Sequence, residues 1–391
     1  MNVVSVLSAV WALMLTQVAW STDRLVPSQY ATIQTAISAA NSGDTIRIAP
    51  GTYTELLSIA NKTVAITGSA SAAQVIVRSP NGSRLLSLSD AAAGASTFRN
   101  LTLTGGTSQE LINLSAGNAV FEYCIFKSNQ RRAVTSARAC GSSDTTTFQH
   151  CLFADNVEPN GGALYLSKVN AIIEDCVFSN NTATGPTSGV NAGGACYITD
   201  WTCGTHTFTF TRCAFVNNVA NWGGAVYAEG IYPAASSRLS FASCQFVNNF
   251  ANRGRSVYNW YINCQVLLSW FCAASDQIHN GWTDSGGTTF ASTCAQIPFA
   301  DCDANVLPDQ IQLDVGLLPD SNHDGIPDEC ECLGDIFVDG IVNGADLGAL
   351  LSYWGPVTTS PPSRACDLNG DERVDGSDLG TLLANWGSCA N

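Results

Sequence analysis

The element C-x-F-x-x-N occurs five times in this chain, as CIFKSN at 124, CLFADN at 151, CVFSNN at 176, CAFVNN at 213 and CQFVNN at 244, at intervals of 25 to 37 residues. A second element trails it as GGALY at 161, GGACY at 193, GGAVY at 223 and the degraded GRSVY at 254. Two separated elements that repeat together define one supersecondary unit, and the unequal intervals assign it loops of unequal length. Upstream of each cysteine runs an alternating segment such as NAIIED (170–175) or FTFTR (208–212). A unit of two or three short strands, bent at Asn and at Gly, cannot bury its apolar face alone. Stacking such units in register buries it, which is the logic of a β-solenoid.

In that arrangement Phe126, Phe153, Phe178, Phe215 and Phe246 form an internal column, and the asparagines an amide ladder at the turn. The repeat cysteines Cys124, Cys151, Cys176, Cys213 and Cys244 fall in one place per unit and are expected as buried free thiols packed as small hydrophobes. Among the 16 cysteines, Cys196 with Cys203, and Cys332 with Cys389 or Cys366, are the better bridge candidates, because they lie near loops or domain ends.

The entry segment YATIQTAISAANSGDTIRIAPGTYTE (30–55) sets Ile33, Ala36, Ile37 and Ala40 at helical spacing, breaks at Gly43, and continues as the strand Thr45 to Ile48 before a Pro-Gly turn. It reads as a capping helix and a first coil. This segment resembles the N-terminal cap of right-handed parallel β-helix proteins of the pectin-lyase-like superfamily. The FxxN and GGA[ILV] pair resembles the repeats of polymorphic outer-membrane autotransporter adhesins. The resemblance covers about residues 25–290 and implies an all-β, right-handed parallel β-helix. It does not choose a function, since lyases, hydrolases, esterases and non-catalytic adhesins share that scaffold.

Charge divides the chain. Residues 1–300 carry 15 acids and 15 bases, whereas 301–391 carry 17 acids against Arg364 and Arg373 alone, so the net charge of −15 lies in the tail. A neutral body with an acidic tail excludes a nucleic-acid partner and suits a hard cation. The apolar run VVSVLSAVWALML (3–15), followed by Ala19-Trp20-Ser21, predicts a signal peptide over 1–21 and a secreted or extracellular, cell-surface-associated protein.

In the tail, DLNGDERVDGSD (367–378) has the spacing of an EF-type calcium loop: Asp367, Asn369 and Asp371, the carbonyl of Arg373, then Asp375 and Asp378. Thirty-two residues earlier DIFVDGIVNGAD repeats the frame with Asp335, Asp339, Asn343 and Asp346, but Phe337 stands where an oxygen ligand belongs, which predicts a weaker site. Each loop opens a helix with one stripe, Leu347, Leu350, Leu351, Trp354 and Leu379, Leu382, Leu383, Trp386, and the two stripes are expected to pack on each other. Duplicated loop-helix units without an entering helix resemble type I dockerin modules, here residues 332–391. That resemblance implies a small α-helical calcium-loop domain and a cohesin-like or cell-surface protein partner. The Ser-Thr pair that contacts cohesin in dockerins is replaced by Gly344-Ala345 and Gly376-Ser377, which sets the partner apart from a conventional cohesin. Between the body (22–298) and this module, the spacer 299–331 carries DCDANVLPD (301–309) and DSNHDGIPD (320–328). These resemble thrombospondin type 3 calcium repeats, with Asp320, Asn322, Asp324 and Asp328 as the better site.

No acid/base constellation for polysaccharide cleavage stands out, nor do the signatures of pectate lyases or pectin methylesterases at matching places. The residues before the repeat cysteines, Tyr123, His150, Asp175, Arg212 and Ser243, form a column without consistent chemistry and read as a solvated turn. Alternation along the GGAxY strand points Leu164, Cys196, Val226 and Val257 inward, and Tyr165, Tyr197, Tyr227 and Tyr258 outward as a stacked, exposed column. The inserts 182–192, 199–206 and 229–237 flank it like the walls of a groove. The sequence therefore predicts an exported polysaccharide-binding β-helix with calcium as cofactor, anchored through its dockerin-like module. A polysaccharide lyase or glycoside hydrolase is the alternative.

Overall fold

Short alternating segments separated by bends form three parallel sheets. The computed structural model describes residues 21–388 except 90–93, 186–190, 202–205, 231–236, 273–275, 293–299, 303–304, 306, 321–324, 329, 331, 338–340, 358–362 and 364. The leader expected at 1–21 lies outside these, apart from Ser21. Each turn of chain contributes one strand to each sheet. Asn118–Glu122, Ile125–Lys127 and Val134–Ala137, for example, enter sheets of eleven, ten and nine described strands respectively. All pairings are with the coils directly above and below, parallel and in register, as in Phe126↔Phe153 and Phe153↔Phe178. The body is a right-handed parallel β-helix, as the repeats predicted.

Its interior is built from two aromatic stacks. Phe126, Phe153, Phe178, Phe215, Phe246 and Phe271 follow one another at centroid spacings of 4.5, 4.7, 4.9, 4.8 and 4.4 Å. Phe98, Phe121 and Phe148 form a second stack at 4.7 and 5.2 Å. The stacks meet edge-on, at 5.5 Å between Phe121 and Phe126 and 5.3 Å between Phe148 and Phe153, the arrangement the ring quadrupole favours. The repeat cysteines are buried free thiols, and burial pushes the Cys124, Cys151, Cys176 and Cys213 thiols up.

The asparagines form the expected ladder. Asn181 Nδ2 donates to Asn218 Oδ1 (3.0 Å) and to the carbonyl of Phe153 (2.9 Å), while its Oδ1 accepts from the Nδ2 (2.9 Å) and backbone N–H (3.1 Å) of Asn156. Each buried amide thus satisfies the turn of its neighbour. The GG corner has a steric cause. A Cβ on Gly193, at φ +66°, would lie 2.1 Å from the carbonyl oxygen of Cys196, and one on Gly194 would lie 2.1 Å from that of Gly224 in the next coil.

The upper end is closed by α1 (Ile33–Ala39), whose Ile33, Ala36 and Ile37 are buried. Glu55 accepts from the N–H groups of Ile33 and Gln34 (3.0 and 2.8 Å), satisfying donors of the first turn.

The spacer, expected as an acidic calcium-binding segment, also packs on the body. Its helix α2 (Asp309–Asp314) lies on the outer face of the ten-stranded sheet, where Ile311 and Val315 are buried with Ile125, Leu152, Val177 and Ala214. The cause is an outward apolar column at the residue between Cys and Phe of each repeat, matched by apolar residues four apart at 307, 311 and 315. Cys302 and Cys330 are bridged across this segment.

Of the expected bridges, Cys196 with Cys203 fails, and Cys332 is bridged but not to Cys366. Cys196 is a buried free thiol because it occupies the inward column between Leu164 and Val226, and Cys366 is a buried free thiol in the module core. Cys332 is oxidised, while Cys203 and Cys389 lie outside the described residues.

In the tail, α3 (Gly344–Ser352) and α4 (Gly376–Ala384) are joined by reciprocal antiparallel pairs, Ile341–Val342 with Gly387–Ser388 and Gly355–Pro356 with Arg373–Val374. Leu350 and Leu382 are buried between them, with Leu347 and Leu379 half-buried. The expected packing of the whole stripe is only half realised, because Leu351, Trp354, Leu383 and Trp386 remain 49–52% exposed. Among the described residues no helix is long and apolar enough to cross a membrane.

Candidate functional site

The outer face of the nine-stranded sheet carries a column running Ser87, Asn113, Thr135, Tyr165, Tyr197, Tyr227, Tyr258 and His279. The four tyrosines stack as alternation required, with ring centroids 5.6, 4.9 and 5.3 Å apart. Their expected exposure is not found. Tyr165 and Tyr197 are half-buried, and Tyr227 and Tyr258 are 1% and 5% exposed. The corner segment of an adjacent coil covers them, with Trp222 stacked on Tyr258 at 5.3 Å and Ala192 packed alongside. A strand period fixes which face a side chain takes, not what later folds over it.

Around this column lie charged groups. The guanidinium of Arg132 sits 4.6 Å from the centroid of Tyr165, and burial lowers its pKa from the ordinary arginine value. Glu229, two residues beyond Tyr227 on the same face, accepts from Tyr197 Oη (2.5 Å) and Tyr227 Oη (3.0 Å). Both phenols are pushed well above their usual range, by burial first and then by this carboxylate. Beyond the buried tyrosines the face opens again. Trp260 and Tyr261 are 37% and 50% exposed, with centroids 5.8 Å apart.

Two clusters resemble catalytic groupings without their geometry. Asp200, His206 and Ser237 are all buried, but His206 Nδ1 (2.9 Å) and the Ser237 hydroxyl meet the same Oδ2 of Asp200, so among the described residues the serine is bonded to the carboxylate and not to the imidazole. The column before the cysteines is not merely a solvated turn. Its residues take left-handed backbone angles near +50°, Arg212 grips Asp175 through two 2.7 Å hydrogen bonds, and His150 Nδ1 lies 2.8 Å from Asp314 of α2. The His150 contact ties the spacer to the body.

The second site is the duplicated tail loop. Asp378, fully buried, accepts from the N–H groups of Leu368 (2.9 Å), Asn369 (3.3 Å) and Asp375 (2.7 Å). Asp367 accepts from Asp371 N (3.1 Å) and Glu372 N (2.9 Å), and Asp371 accepts from Arg373 N (3.0 Å). Burial raises the Asp367 carboxyl, and the charges of Asp378 and Asp371 add to it. Glu372, standing where glycine is usual, adopts the required left-handed turn at φ +68°. Asp367, Asn369, Asp371, the Arg373 carbonyl and Asp378 lie along one loop and offer only oxygen donors, the chemistry that suits calcium, with Asp375 capping α4 through Ser377 N (2.8 Å). Asp346 reproduces Asp378, accepting from Phe337 N (3.3 Å) and Asn343 N (2.8 Å), and Asn343 reproduces Asp375, accepting from Ala345 N (2.8 Å). Phe337 points to solvent, so this loop lacks one ligand as expected. Asp335 opens the same loop, and Asp339 lies outside the described residues. In the spacer, Asp320 accepts from Gly325 N (3.0 Å), the i to i+5 closure that Asp367 makes with Glu372. Asp328 is described, whereas Asn322 and Asp324 lie outside the described residues.

Fold and loops together define a β-helix body joined to a dockerin-type calcium-loop module. Residues 91–271 match the family model of the right handed beta helix region, and residues 333–384 that of the dockerin type I domain, a domain type that binds calcium. Solved structures with similar architecture include the pectin methylesterase PemA from Erwinia chrysanthemi (9% identity, 67% of this chain and 93% of that one, TM-score 0.41). The rice weevil pectin methyl esterase (13%, 70% and 88%, 0.40) and the pectin methylesterase from Aspergillus niger (14%, 70% and 84%, 0.35) are others. Likeness at this level says nothing of substrate. No curated protein sequence matches the chain.

Proposed function

We propose that this is an exported protein whose β-helix holds extracellular polysaccharide without cleaving it, while its C-terminal module docks on a protein partner. One observation carries the docking half: α3 and α4 leave the same two residues of each repeat exposed, Leu351 with Trp354 and Leu383 with Trp386, where a lone domain would bury them. The polysaccharide half is supported by aromatic rings along one outer face, two of them open to solvent. Calcium held by Asp367, Asn369, Asp371, Arg373 and Asp378 would brace the loop that positions α4.

The enzymatic reading has one observation in its favour, the carboxylate of Glu229 on that same face. Both of its oxygens are already engaged by tyrosine hydroxyls, which suits a positioning role better than proton transfer. The test is retention of the full chain on immobilised acidic and neutral polysaccharides, with the supernatant assayed for unsaturated products and new reducing ends. Retention without product is the expected outcome. Release of product establishes the enzyme, and passage through every column refutes the polysaccharide half. For docking, binding to a panel of cohesin-type proteins should survive replacement of either Leu–Trp pair by serine, and disappear when both pairs are replaced or calcium is chelated.

A further inference from the structure

At the lower end of the nine-stranded sheet a cleft of about 540 Å³ is lined by Arg253, Tyr258, Trp260, Tyr261 and Asn280, among others. Its volume lies within the range of clefts that take small organic ligands. We infer that this cleft, and not the tyrosine column above it, is the subsite that binds a short stretch of an acidic sugar chain. The inference deepens the polysaccharide reading and rests on it.

Three observations converge here. First, Trp260 and Tyr261 present open ring surface against which the C–H face of a pyranose can pack, whereas Tyr227 and Tyr258 have none left to offer. Their rings are held at an angle of 46°, and Trp260 is also braced edge-on by Tyr258 at 6.5 Å. The platform is therefore formed before any sugar arrives. Second, the floor is tied down. Asn259 Nδ2 donates to the carbonyls of Ile262 (2.8 Å) and Gly281 (2.5 Å), joining the strand that carries Trp260 to the turn that closes the cleft. Third, Arg253 is exposed and forms no ion pair among the described residues. Two acids of adjoining segments are engaged elsewhere, Asp276 with His279 (3.0 Å) and with Gly254 N (2.9 Å), and Glu229 with its two tyrosines. A guanidinium beside an open aromatic platform selects a sugar carboxylate, because its planar fork matches that group.

The test is isothermal titration of the full chain with tetragalacturonate and with the neutral cellotetraose. Three variants are compared with the parent: Trp260→Ala, Arg253→Gln and, as a distant control, Leu56→Ala, which replaces an exposed apolar residue beside the strand at the opposite end of the same sheet. The parent should prefer the acidic tetramer. Trp260→Ala should weaken its binding about tenfold or more, as loss of an interface tryptophan commonly does. Arg253→Gln should erase the preference for acid over neutral, and Leu56→Ala should change nothing. Thermal melting of each variant separates lost binding from lost folding. If the parent binds but Trp260→Ala and Arg253→Gln bind equally well, the cleft is wrong while the polysaccharide reading stands. The cleft is equally wrong, and the polysaccharide reading equally intact, if polysaccharide columns retain the parent yet it titrates neither tetramer. Absence of both retention and titration overturns both.

Discussion

Replacing Asn181 by alanine removes four hydrogen bonds from the interior at once. Its Oδ1 serves two donors of Asn156, and its amide serves Phe153 O and Asn218 Oδ1. Asn218 Oδ1 keeps a partner in the backbone N–H of residue 181, and Asn156 Nδ2 keeps one in Phe126 O, so Asn156 N is orphaned while Asn156 Nδ2 and Phe153 O lose one bond each. Each buried orphan costs about 1–3 kcal/mol. With about 0.5–1.5 kcal/mol for each of the two other lost bonds the sum is about 2–6 kcal/mol, and relaxation of the corner brings the expected cost to about 2–5 kcal/mol, the upper end for single substitutions. Asn180→Ala is the control, since Asn180 is exposed and its left-handed angle (φ +54°) costs an alanine only about 1–2 kcal/mol. Urea unfolding gives the difference between the variants, and native-state hydrogen exchange locates it. The Asn156 amide should lose protection in Asn181→Ala and keep it in Asn180→Ala. Equal unfolding midpoints for the two variants, with Asn156 still protected in both, would show that the ladder is ornament on a fold held by the phenylalanine stacks.

Ile311→Ala should cost about 2–4 kcal/mol of local stability and free α2, read as faster proteolysis between residues 300 and 320 with the β-helix left intact. Asp371→Asn keeps the loop's hydrogen-bond acceptor but removes one ligand charge, and should weaken calcium binding roughly tenfold or more. Asp378→Ala should in addition loosen the module in the absence of calcium, both effects being measured by titration and melting of the full chain. In the cap, burial alone would raise the Asp44 carboxyl, but the N–H of Asn41, the guanidinium of Arg24 and the N–H of Thr22 outweigh it and hold the carboxyl below its ordinary value. Its contribution is thus complete above about pH 4 and is lost as pH falls further. Melting curves of the parent and of Asp44→Asn should accordingly converge on acidification.

The β-helix was legible because its repeat states the same residue in the same structural place five times. Phe126 through Phe246, the asparagine ladder and the inward Leu164, Cys196, Val226, Val257 column all follow from period and parity. The tail loops were legible for a similar reason, since oxygen ligands at fixed offsets have few other uses. What the sequence hid is coverage. Trp222 buries Tyr258 across a coil boundary, and α2 buries the outward Ile125, Leu152, Val177 and Ala214 from more than 90 residues away. A signal for the second was present, because four apolar residues at an outward-facing position need a cover. The Trp260 and Tyr261 platform, by contrast, belongs to one coil, with Trp260 standing where Ser167, Thr199 and Glu229 stand in the coils before it, so the repeat carries no aromatic signal there. Only the folded chain shows those rings open beside Arg253.

The regularity of the interior also has a cost for the chain that must find it. Sliding one coil past its neighbour by a whole turn sets Phe on Phe, Cys on Cys and Asn on Asn again, so stacking energy barely separates the correct order from a misthreaded one. The address of each coil must therefore be written on the outside. Corners of unequal length, the single fit of α1 over the first coil with Glu55 beneath it, and the match of α2 to its particular outward residues are features that no slipped arrangement can repeat. The irregular parts are what count the turns, and a variant trimmed to uniform coils should keep its core and lose its place.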